Sequence, residues 1–95
     1  MLETSKTIRF ANIVKRYESN IDGGTYFIYN PVNSDMWIGN YSAKLLLDLI
    51  DGIKSIDYIK KEFLNLLNTD DINTVFDGID IIFYELIEKG MLVYA

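Results

Sequence analysis

Side chains able to do covalent or acid–base chemistry are scarce in this chain. Its 95 residues include no His and no Cys. That removes the commonest general base, the thiolate nucleophile and the usual zinc ligands. What remains is carboxylate, with fourteen acidic residues against nine basic ones and a net charge of −5. Asp48, Asp51 and Asp57 are close in sequence and are the acids to consider as a converging group. Each also falls near an expected helix end, where the helix dipole explains it without catalysis. No catalytic residue, metal ligand or cofactor is therefore assigned. The chemistry left to the chain is recognition, through main-chain hydrogen bonds and apolar contact.

Charge narrows the partners. A net negative surface repels phosphate, so nucleic acid is not expected to bind. No apolar run approaches the length of a membrane span, and no membrane partner is expected. Met1 to Lys6 lacks the apolar stretch of a secretory signal, so the expected location is cytoplasmic. The length suits a single domain over 1–95, with residues 1–7 expected to lack fixed structure. At 49% hydrophobic, the chain has enough apolar content for a modest core.

The elements that must position any binding site come in two blocks. The first reads as three strands. Ile8 to Tyr17 mixes β-branched and aromatic residues. A turn at Asp22-Gly23-Gly24 leads into Thr25 to Tyr29. Asn30-Pro31 and Asn33-Ser34 mark a second turn before Met36-Trp37-Ile38. The second block reads as three helices. Ser42 is the expected cap of a first helix over about Ala43 to Ile50, stopped by Asp51-Gly52. Ser55 caps a second helix whose stripe is Ile56, Ile59, Phe63, Leu66 and Leu67. The third spans about Asp71 to Lys89 and ends at Gly90. Ile72, Val75, Phe76, Ile79, Ile82, Phe83, Leu86 and Ile87 keep helical spacing along it. Met91 to Tyr94 is expected as an extended tail packing back on the core. The fold class is α+β and winged-helix-like, a three-stranded antiparallel sheet followed by three helices.

Three features stand out from that frame. Met36-Trp37-Ile38 is an apolar strand with only Asp35 as a charged guard, whereas exposed sheet edges are usually blunted by charge or proline. Such an edge can be covered by the protein itself, or kept open for a foreign strand. On the third helix, Phe76, Asp80 and Tyr84 form an i, i+4, i+8 ridge at the border of the stripe, and Ile81 points away from it. Gly78 sits inside the same helix at a cost of about 1 kcal/mol relative to Ala. The helix carries Asp71, Asp77, Asp80, Glu85 and Glu88 against one Lys, which argues against insertion into a DNA groove.

The spacing of Asn40, Ser42, Leu46, Leu49, Asp51-Gly52, Ser55, Ile59 and Gly90-Met91-Leu92 resembles the PqqD family and the wider class of leader-peptide recognition domains. The resemblance covers about Thr25 to Val93. It departs at Gly39, where the family carries Leu, and glycine there is expected to shorten or kink the third strand. The resemblance implies a non-catalytic chaperone. It would bind the leader of a ribosomally made precursor peptide and present it to a separate modifying enzyme: a radical SAM enzyme, a cyclodehydratase or a leader protease. It also implies a site. The leader would pair with Asp35, Met36, Trp37 and Ile38 and lie beside Phe76, Ile79, Asp80, Phe83 and Tyr84. The opposite helix margin, Val75, Gly78 and Ile82, is the fallback. Asp35, Asp77 and Asp80 suggest an acidic groove suited to a leader carrying Lys or Arg. The alternative is a small winged-helix regulator or a protein–protein adaptor.

Overall fold

The computed structural model describes residues 2–95. It is α+β, with strands β1 (Ile8–Phe10), β2 (Val14–Glu18), β3 (Thr25–Asn30) and β4 (Asp35–Asn40). Helices α1 (Tyr41–Leu47), α2 (Ile56–Leu67) and α3 (Ile72–Glu88) follow, then β5 (Leu92–Tyr94). The expected first strand is thus two strands. β1 pairs antiparallel with β5, Ile8 opposite Tyr94 and Phe10 opposite Leu92. Ala11 N–H extends this pairing to the Met91 carbonyl at 2.9 Å. The chain then crosses to the other sheet, of order β2-β3-β4. The tail expected after Gly90 is therefore a paired strand.

Residues 2–7, expected to be loose, are tied down. Lys6 and Thr4 carbonyls accept from Ile56 and Asp57 N–H, two of the otherwise unpaired donors at the start of α2. Glu3 N–H donates to the Tyr94 hydroxyl.

Alternation along the strands sets which face is buried. Tyr26 and Ile28 on β3 and Trp37 on β4 point into the core, with Trp37 directly opposite Ile28. The other face carries Val14 and Arg16 on β2, Phe27 and Tyr29 on β3, and Met36 and Ile38 on β4. The helices close the inner face with Leu46, Leu47, Ile56, Ile59, Ile79, Phe83 and Leu86, all fully buried.

Caps fix the helix ends. Asn40, not Ser42, caps α1: its Oδ1 accepts from Ala43 N–H at 2.9 Å. The helix begins immediately after β4, so strand and helix share a rigid corner. It ends at Leu47, earlier than expected, and Asp51 instead folds the next turn by accepting from Ile53 and Lys54 N–H. Ser55 caps α2 as expected, accepting from Tyr58 N–H at 3.1 Å. α3 closes in a Schellman arrangement, Gly90 N–H to the Ile87 carbonyl and Met91 N–H to the Leu86 carbonyl. The β3–β4 turn then grips that end. Asn30 and Asn33 Nδ2 donate to the Lys89 carbonyl at 3.0 and 3.1 Å. These bonds hold the start of β4 against the end of α3, and so set where the two elements lie.

Candidate functional site

β4 is the border of its sheet. Among the described residues it pairs with β3 on one side and with no strand on the other. A hollow of about 440 Å³ follows it, lined by Trp37, Ile38, Gly39 and Asn40 together with Asp22, Gly24, Thr25, Ala43 and Ile82. Asp22, Gly24 and Thr25 lie at and just before the start of β3, where Thr25 pairs with Asn40, so the hollow lies at the Asn40 end of β4. A second hollow of about 250 Å³ shares Asn40, Ala43 and Ile82 with the first. Its remaining walls are Leu46, Phe63, Leu67, Val75, Gly78 and Ile79, with Ser42 and Thr74 as further polar groups. The two adjoin at Asn40, Ala43 and Ile82 and make one groove, which leaves the Asn40 end of β4 and continues between α1, α2 and α3. Its polar groups are few and its floor is aliphatic and aromatic, the composition of a binding cleft.

Gly39 is explained by its neighbour. A Cβ there would collide with the Trp37 ring and lie 3.0 Å from Ala43 Cβ. The indole folds back along its own strand into the space a larger residue would take. β4 consequently runs through to Asn40 without the shortening expected from glycine. Gly78 is the converse case. A Cβ there would meet nothing within 4 Å. Among the described residues no contact accounts for a helix-weakening glycine at that point, and it lines the groove.

The structure places the expected site residues in three groups. Asp35, Met36, Trp37 and Ile38 all belong to β4. Trp37 is 7% exposed and faces inward, while Met36 and Ile38, at 51% and 58%, face outward. Ile79 and Phe83 are core residues, and of the two only Ile79 contributes to the groove. Phe76, Asp80 and Tyr84 are not brought to β4. They lie on the flank of α3 that meets α2 and the N-terminal segment. Lys60, buried on α2, places Nζ 2.6 Å from Asp80 Oδ1 and 5.3 Å from the Phe76 ring centre. That oxygen makes no directed hydrogen bond, so charge holds the pair. Tyr84 and Asp80 line a separate hollow with Leu2 and Ile81. The groove bank is Val75, Gly78 and Ile82.

The acidic groove is redistributed for the same reason. Asp80 is occupied by Lys60, Asp77 is exposed elsewhere on α3, and Asp35 lies outside both hollows. Among the described residues Asp22 is the one charged residue lining the groove. The clustered acids of the sequence are also engaged apart from one another. Asp48 pairs with Lys44. The Asp51 carboxyl is held below the usual carboxylate range by the N–H groups of Lys54 and Ile53. Asp57 lies in the first turn of α2, where its charge favours the helix dipole. Among the described residues no three potential ligands gather as a metal site. A larger hollow of about 480 Å³, at the α2–α3 turn, is lined by Leu64 and the exposed polar residues Asn65, Asn68, Thr69 and Asp70. It has no apolar floor. No helix among the described residues is long and apolar enough to cross a membrane.

Sequence reasoning did not find Asn30 and Asn33 as the clamp between the β3–β4 turn and α3. Their side-chain amides were visible only as turn signals. Comparison of the chain with protein-family models, with curated proteins and with solved structures finds no match to any of them.

Proposed function

We propose that this chain is a non-catalytic peptide-binding module that takes an extended segment as an added strand on β4. The segment is the leader of a ribosomally made precursor, held for a separate modifying enzyme. The observation that carries the reading is the combination at β4: a border unpaired among the described residues, free of charge from Met36 to Asn40, and leading at its Asn40 end into a largely apolar groove. Main-chain hydrogen bonds to that border would give affinity, and side chains seated toward α3 would give specificity. Gly78 supports the same reading, because it leaves the helix bank open to an incoming backbone or side chain. The resemblance in spacing to PqqD-like domains, and their winged-helix-like order of elements, supply the leader as the peptide class. Binding would act by proximity, converting the encounter of precursor and enzyme into an effectively intramolecular event.

Trp37, the single tryptophan, reports on this directly. Synthetic leader peptides, taken from any short precursor-like reading frame that neighbours the gene, are titrated while fluorescence and amide shifts are followed. Binding should change Trp37 emission and move the amides of Met36 to Gly39 and of Gly78. Saturable binding that leaves all of these unmoved would overturn strand addition.

A further inference from the structure

The outward face of α3 lies opposite the core and away from the groove. It presents Ile81 at 66% exposure and Tyr84 at 48%, both large enough to matter in a contact. Asp77, Glu85 and Glu88 surround them and are exposed. None of the ion pairs among the described residues involves these three acids. A hollow of about 280 Å³ opens beside them, lined by Leu2, Asp80, Ile81 and Tyr84. An apolar patch rimmed by acids that no ion pair among the described residues offsets has a defined complement.

We propose that this face of α3 docks a second protein whose contact surface is apolar at its centre and carries Lys or Arg at its rim. The inference rests on the peptide-binding reading, which makes that protein the modifying enzyme. Other occupants meet the same field with the wrong sign. A second copy through this face would oppose carboxylates to carboxylates, and nucleic acid or an anionic membrane would meet them with phosphate. The peptide is excluded by position, since its groove lies on the other margin of the helix. The two faces let one helix hold peptide on one side and enzyme on the other.

The test uses the full chain with two probes, the synthetic leader and a purified modification enzyme from a neighbouring reading frame. Two variants separate the contributions. Ile81→Asp removes the apolar centre while keeping the sign of the charge. Asp77→Lys with Glu85→Lys reverses the rim. Each should weaken enzyme binding about tenfold or more, as expected for truncating or mis-pairing a central contact. Leader affinity and the melting curve should stay unchanged. For the unaltered chain, raising salt should weaken enzyme binding several-fold, in keeping with screening of exposed charge. Enzyme binding that is indifferent to both variants overturns the proposal, as does a chain that binds leader but not enzyme. A concentration-dependent dimer abolished by Ile81→Asp would make the face a self-contact and also overturn it. A chain that binds neither probe overturns the peptide-binding reading itself.

Discussion

The two borders of the three-stranded sheet are built in opposite ways. β2 carries Lys15, Arg16 and Glu18 within five residues. Arg16 pairs with Glu18, and Lys15 Nζ sits 3.9 Å from the Phe10 ring centre. That is the usual defence of a free edge, because an approaching strand would have to strip water from the charges. β4 carries Asp35 at its start and no charge after it. The same sheet, with the same need to avoid aggregation, is guarded on one side and left open on the other. On the proposed reading, the undefended edge is the one that receives the added strand. The difference between the borders can be broken or sharpened experimentally.

The largest effect is expected at Gly39→Leu. The added side chain must displace the Trp37 ring from the inner face, where it packs opposite Ile28. Overpacking of this kind costs about 1–3 kcal/mol, and urea unfolding should show it as a lower midpoint with unchanged slope. A smaller residue at 37 should relieve the clash. The double variant Gly39→Leu with Trp37→Ala should therefore lose less than the sum of its parts. A fully additive result would mean that Gly39 is not there to house the indole.

The next effect transfers the defence of β2 onto β4. Met36→Lys with Ile38→Lys alters two exposed side chains that face away from the core. Folding stability should change by no more than about 0.5 kcal/mol, as for ordinary surface substitutions. On the proposed reading, leader affinity should fall about tenfold or more, because the border now carries hydrated charge. Matching substitutions on the other border, Lys15→Thr with Arg16→Thr, should leave leader affinity unchanged. Hydrogen exchange supplies a variant-free version: leader should slow exchange at β4 and leave β2 as it was.

Much of this architecture was legible in the sequence. Ser55 as a cap, the three helices, and the turns at Gly23-Gly24 and Asn30-Pro31 follow from local chemistry that tertiary structure did not override, whereas Leu66 and Leu67 of the expected α2 stripe and Ile72 of the α3 stripe are exposed near the α2–α3 turn. The division of Ile8 to Tyr17 was not legible, because no Gly or Pro lies between Phe10 and Val14. The break is decided by pairing with Leu92–Tyr94 at the far end of the chain. Asn40 and Ser42 are both good caps, and only the path of β4 selects Asn40. The groove side of α3 was hidden for a similar reason. A helical stripe has two margins, and spacing treats them alike. The fold makes the choice: Lys60 on α2 engages Asp80 and Phe76 on one margin, and Val75, Gly78 and Ile82 on the other line the groove that reaches Asn40 at the end of β4.

That choice yields the smallest and most diagnostic prediction. Gly78→Ala introduces a methyl group into open space within the chain. Alanine is the better helix former by about 1 kcal/mol, so thermal and urea unfolding should both show a more stable protein. If Gly78 served only folding, nothing would oppose that gain. If the groove receives a docked segment, the methyl group stands on its helix bank, and leader affinity should drop several-fold while stability rises. Phe76→Leu offers the contrast on the opposite margin, where it touches the Lys60–Asp80 pair but not the groove. It should cost some stability, of the order of 1 kcal/mol, and leave leader affinity alone. Opposite signs at the two margins would assign the groove to the Gly78 side. An affinity loss at Phe76 with none at Gly78 would move it to the other.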